Sequence, residues 1–93
     1  MNKDDLKQCL RRERERWSAK SYDGLVAELQ SVVAYSVGEG SASYQVEVEL
    51  LECEAEYVHV LVGIDDGGWR AFKPLSTDFL VYRDGRVEKA EGL

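Results

Sequence analysis

The stretch YQVEVELLECEAEYVHVLVGIDDGGWRAFKPLSTDFLVYRD, from Tyr44 to Asp84, decides how this chain folds. Apolar and polar residues alternate along it, and two Asp-Gly pairs, Asp66-Gly67 and Asp84-Gly85, interrupt the alternation. Period-two spacing sends successive side chains to opposite faces of an extended strand, and Asp-Gly tolerates the positive φ of a tight hairpin turn. The second half of the chain therefore reads as an antiparallel sheet.

Outward from that stretch, strands are expected at about residues 31–37, 43–51, 57–64, 69–73 and 78–82, with Val87 starting a short return. Pro74 falls between two strands, where it costs no ladder hydrogen bond. Toward the N-terminus, Leu6, Cys9, Leu10 and Trp17 recur at helical spacing, which predicts a helix over about 4–18 with Glu13 as a polar interruption of its buried stripe. Ser21 is placed to cap a second helix over about 22–29, with Leu25, Val26 and Leu29 turned inward and Gly24 weakening it by ~1 kcal/mol relative to Ala. The expected architecture is a single α+β domain spanning 1–93, with two N-terminal helices packed on one face of an antiparallel meander of about five strands.

Turn chemistry extends this to a register. A two-residue turn at Asp66-Gly67 pairs Ile64 with Trp69, Val62 with Ala71 and Leu61 with Phe72. A five-residue loop from Lys73 to Thr77 then sets Ala71 opposite Phe79 and Trp69 opposite Val81. Val60, Val62, Ile64, Trp69, Ala71, Phe79 and Val81 share the face beneath the helices, together with Tyr44, Val46, Val48 and Leu50 and with Val33, Tyr35 and Val37. Tyr57, His59, Leu61, Phe72, Leu80 and Tyr82 share the other, with Gln45, Glu47, Glu49 and Arg70, and Glu49 is expected across from His59. An open sheet face normally reads polar. A cluster of Leu61, Phe72 and Leu80, flanked by Tyr57 and Tyr82, marks an interaction patch unless the Glu88–Leu93 tail folds over it or a bulge turns it inward.

Charge is uneven along the chain. Residues 1–20 carry seven Lys/Arg against four Asp/Glu, whereas the remainder carries five against fourteen, within a net charge of −6. The sheet half is thus acidic, with Glu47, Glu49, Glu52, Glu54 and Glu56 as its densest run. In Arg11-Arg12-Glu13-Arg14-Glu15-Arg16 the glutamates supply i,i+4 partners such as Glu15 for Arg11 and cancel most of the field, so nucleic acid is not an expected partner. With 44% hydrophobic residues and only short apolar runs, the sequence suits a folded soluble protein and shows neither a leader-like segment nor a membrane span. A cytoplasmic location is expected.

Cys9 and Cys53 lack Cys-x-x-Cys spacing, and two thiols with one imidazole fall short of a structural zinc site. Cys9 is expected as a small buried residue on the first helix, and Cys53 as a free thiol in a loop. His59 is the only imidazole. Beside a carboxylate it has the elements of an oriented general base, but no Ser or Cys lies in an activating motif such as G-x-S-x-G. Asp65-Asp66-Gly67-Gly68 lacks the ligand spacing of a calcium loop and reads as a turn. No cofactor, metal or catalytic residue is assigned.

Ile64-Asp65-Asp66-Gly67-Gly68-Trp69-Arg70-Ala71-Phe72, then Pro74-Leu75-Ser76, then Phe79-Leu80-Val81-Tyr82-Arg83-Asp84-Gly85-Arg86-Val87 resembles a pattern found in a group of small bacterial proteins. Trp17-Ser18 and Ser21-Tyr22-Asp23 resemble the same group's helix junction. No activity is attached to that group, so the resemblance implies only a bacterial origin and a free-standing domain. Three functions stay open: a non-enzymatic interaction module that pairs with itself or another protein through the open face, a small acidic inhibitor or immunity-type protein that binds a basic partner, and a small-ligand or metal-dependent enzyme built on His59.

Overall fold

In the computed structural model, which describes residues 3–38, 43–65 and 75–89, the first helix α1 runs from Lys3 to Ser18. It buries Cys9, Leu10 and Trp17, with Leu6 half-buried beside them, as the helical spacing anticipates. The second, α2, spans Tyr22–Glu28, and the Ser21 hydroxyl accepts the Gly24 amide at 3.0 Å to cap it. Leu25 and Leu29 are buried beneath α2 and Val26 is half-buried. Tyr22 is buried as well, an inward position that helical spacing did not single out.

Five strands follow: β1 (Val33–Val37), β2 (Tyr44–Cys53), β3 (Tyr57–Asp65), β4 (Leu75–Tyr82) and β5 (Val87–Lys89). They form one antiparallel sheet in the order β1-β2-β3-β4-β5, each strand beside its sequence neighbours. The fold is thus the expected α+β layer pair. Strict alternation does most of the work. On β3, Val58, Val60, Val62 and Ile64 are at most 1% exposed while the residues between them are half-buried. Val46 and Val48 of β2 and Phe79 and Val81 of β4 complete the sheet side of the core.

Beyond Ile64 the expected register fails, and the turn expected at Asp66-Gly67 lies outside the described residues. Ile64 pairs with Val46 on one side and Leu75 on the other, so neither edge is left for Trp69. Likewise Phe79 lies between Val60 and Lys89, and Val81 between Val58 and Val87, which excludes Ala71 and Trp69 as their partners. The strand expected at 78–82 starts at Leu75 and is the direct neighbour of β3, and the return at Val87 supplies the fifth strand. The expected strand at 69–73, with Trp69, Ala71 and Phe72, lies outside the described residues. Even so, the face assignment holds for the described residues, because it depends on the parity of each strand and not on the turn. Strand β1 begins two residues later than expected, and Cys53 closes β2 instead of lying in a loop.

The second Asp-Gly pair does make a hairpin, with one positive φ and not two. The Gly85 amide donates to the Tyr82 carbonyl at 3.0 Å, the Tyr82 amide to the Arg86 carbonyl at 2.9 Å, and Gly85 has φ 96°. This is a three-residue connection ending in a left-handed glycine. Nothing lies near the position of a Cβ on Gly85, so the cost of a side chain there is conformational. Gly85→Ala should therefore lower stability by ~1–2 kcal/mol in a urea melt without changing the far-ultraviolet circular dichroism spectrum.

Candidate functional site on the open sheet face

Directly paired residues share a face, so the register lists what the uncovered side of the sheet presents. Glu47, Glu49 and Glu52 form a row on β2, Tyr57, His59 and Leu61 a row on β3, and Asp78, Leu80 and Tyr82 a row on β4, with Glu88 beyond on β5. Leu61, Leu80, Tyr57 and Tyr82 are thus where expected, all half-buried. Phe72 lies outside the described residues. The two leucines do not pair directly with each other. Leu61 sits between Glu49 and Asp78, and Leu80 between His59 and Glu88, so each leucine has ionisable neighbours on both adjacent strands. The described part of the tail does not fold over them, because Glu88 and Lys89 continue the sheet as β5.

A β-bulge sets the partner of His59. Leu50 pairs with Val60 and Glu52 with His59, leaving Leu51 as the extra residue, 44% exposed. Without it, Leu51 would take the position beside His59. The expected Glu49–His59 pair is thereby corrected, since Glu49 faces Leu61 and Glu52 takes its place. The bulge also shifts parity, so that Glu47 and Glu49 before it and Glu52 after it fall on one face.

His59 is held from both sides. Its Nε2 lies 2.6 Å from Asp78 Oδ2 and its Nδ1 3.3 Å from Glu52 Oε1, with the imidazole side chain 22% exposed. Two carboxylates can both be satisfied only if both ring nitrogens carry protons. The Asp78 hydrogen bond therefore raises the imidazole above its usual 6.5, desolvation opposes this, and Glu52 adds to the rise. Because the folded-state value lies above the unfolded one, the pairing contributes its full stability below pH 6.5 and loses it as pH rises through the folded value. An NMR titration should place His59 above 6.5, and Asp78→Asn should lower it more than Glu52→Gln does. Equal effects of the two substitutions would contradict the order of the two contacts.

Aromatic residues border the imidazole. The Tyr57 and Tyr82 rings lie 5.8 Å apart at 49°, the Tyr82 hydroxyl donates to Glu88 at 3.1 Å, and the Arg86 guanidinium covers the Tyr82 ring at 4.2 Å. The negative charge of Glu52 pushes the Tyr57 phenol up, while burial is the main cause of the upward shift at Tyr82.

Glu54 and Glu56 stand exposed on the β2–β3 turn, which is clasped from two directions. The Tyr22 hydroxyl donates to the Glu54 carbonyl at 2.6 Å and the Arg83 amide to the Glu56 carbonyl at 2.9 Å. Arg83 Nε also donates to the Ala55 carbonyl, and its guanidinium stacks on Tyr22 at 4.3 Å. All five glutamates picked out in the sequence are exposed, three along the open face and two on this turn. Sequence reasoning missed Asp78, whose role shows only once β4 is placed directly beside β3.

The remaining chemistry is sparse. Cys9 is buried and Cys53 exposed, both as free thiols, and burial pushes the Cys9 thiol up. Among the described residues no group of three or more His, Cys, Asp or Glu side chains converges on a point that could hold a metal ion, and no helix is long and apolar enough to cross a membrane. The chain has no significant match to any family model, curated protein or solved structure.

Proposed function

We propose that this chain is a non-catalytic protein-binding domain whose open sheet face receives a partner carrying basic side chains around a small apolar centre. The observation that carries the reading is the interleaving of Leu61 and Leu80 with Glu49, Asp78, Glu88 and His59 on adjacent strands. Among the described strand positions on this face there is no Lys or Arg, and Arg86 lies only at the rim over Tyr82. A second copy docking here would bring two carboxylate rows together, whereas a basic surface gains both steering and pairing. An enzymatic role for His59 is less well supported. With carboxylates at both ring nitrogens, the geometry favours the doubly protonated imidazole, and a cation of that kind has no lone pair with which to act as general base.

Two free thiols suit a reducing compartment, and with the bacterial resemblance we place the domain in a bacterial cytoplasm. The test is capture of a partner at graded ionic strength. At about 0.5 M salt the Debye length falls to roughly 4 Å, and a partner held by the acidic rows should be released. It should also be lost by a Glu49→Lys, Glu52→Lys chain at low salt. A partner that survives both treatments but is lost by Leu80→Glu would assign the contact to an apolar seam.

A further inference from the structure

The two outer strands of the sheet are finished differently. At one side β5 is only three residues long, carries Glu88 and Lys89, and ties Lys89 to Glu15 of α1. Short length and charge are the usual protections of a sheet edge against pairing with another chain. At the other side β1 has the sequence Val33-Ala34-Tyr35-Ser36-Val37, with no charge, no proline and an unbroken register against β2. The whole segment from Ser31 to Gly38 is uncharged in a chain of net charge −6, and no strand among the described residues covers its outer side.

We propose that the outer edge of β1 pairs with β1 of a second copy of this chain, antiparallel about a two-fold axis at Tyr35. The strand is built for self-pairing. Face parity requires odd residues to meet odd ones and even to meet even, since any other register would turn the core row of one copy to the open face of the other. Centring on Tyr35 meets that condition and uses all five residues: Val33 lies across from Val37 of the second copy and Ala34 across from Ser36. Val33, Tyr35 and Val37 are only half-buried in one chain, so the row that packs under α1 gains cover from its counterpart. The same register sets Val32, which at 51% is the most exposed large apolar residue among those described, beside Gly38 of the second copy. Beside Tyr35, Arg16 lies 3.4 Å from Glu13 and the two charges offset each other. Self-pairing along this uncharged strand avoids the meeting of carboxylate rows that disfavours self-docking on the acidic face.

Pairing within the plane of the sheet leaves the two open faces on the same side. The assembly is an isologous dimer with one continuous sheet and a doubled acidic surface. The inference does not rest on the open-face reading and stands or falls without it.

Sedimentation velocity on the full chain, over a roughly hundredfold range of concentration, tests it. The weight-average mass of the wild type should rise twofold, and the double variant Ala34→Lys, Ser36→Lys should hold it at the single-chain value, because the register sets each new charge directly opposite a like charge of the second copy. Within one chain Ala34 faces Glu47 and Ser36 faces Gln45, so neither substitution opposes a like charge there. Hydrogen exchange on the wild type supplies a readout independent of any variant: amides of 33–37 should become protected as concentration rises while those of 87–89 do not. A chain that stays monomeric at millimolar concentration, or shows no added protection in β1, overturns the proposal. So does a dimer that survives the double variant Ala34→Lys, Ser36→Lys and dissociates in Leu80→Glu.

Discussion

Phe79→Ala should cost ~3–5 kcal/mol in a urea melt, the range for removing a large aromatic from a packed interior. Phe79 is 2% exposed, stands on the helix-facing side of β4, and is flanked on the sheet by Val60, itself fully buried. A chain of this length holds roughly 5–14 kcal/mol in total, so the substitution consumes a large share of it and should shift the midpoint far toward low denaturant. Leu80→Ala, one residue along and half-buried on the open face, is the control. Its loss should stay near 1 kcal/mol, the cost of partial apolar burial. Comparable losses at the two positions would contradict the assignment of faces, and with it the proposed docking surface.

Tyr35→Phe should cost ~2–4 kcal/mol although it deletes a single oxygen. That hydroxyl donates to the carboxylate of Glu13, which is 5% exposed, and accepts from Trp17 Nε1 at 2.7 Å. Its removal strands a buried acceptor and a buried donor, each worth ~1–3 kcal/mol. The Arg16 contact at 3.4 Å remains, and holds the loss below the sum of both. Adding Glu13→Leu to Tyr35→Phe should recover at least ~1 kcal/mol, because the unsatisfied carboxylate goes with its partner. Strict additivity of the two single changes would show that the groups do not act together. Burial, reinforced by Glu13, pushes the Tyr35 phenol up to about 12. The sign follows: the unfolded chain releases this proton near 10, so stability is intact below pH 10 and falls as pH rises toward 12.

Parity carried most of what the sequence revealed. A strand's two faces are set by alternation alone, which is why Val60 through Ile64 and the pair Phe79 and Val81 were assignable even though the expected pairing of their strands differs from the observed one. A turn is a different kind of signal. Asp66-Gly67 suits a two-residue hairpin locally, and that local chemistry carries no information about the pairing of Ile64 with Leu75. Glu13 looked out of place for a related reason: its justification lies in Tyr35, on another element, and helical spacing carries no information about it. The bulge at Leu51 was equally hidden, because Glu49-Leu50-Leu51-Glu52 permits either phase and the choice depends on which carboxylate reaches His59. At the site, then, the row memberships were legible and the partnerships were not.

The clasp on the β2–β3 turn has a consequence for the order in which the molecule assembles. Each strand of the meander pairs with its immediate predecessor, so most of the sheet can form as the chain emerges from the ribosome, from the N-terminus onward. The clasp is an exception, because it joins Tyr22, the carbonyls of Glu54 to Glu56, and Arg83. It closes only once Arg83 has been added, so in a nascent chain the glutamate-bearing turn takes its final shape well after the two strands that it joins.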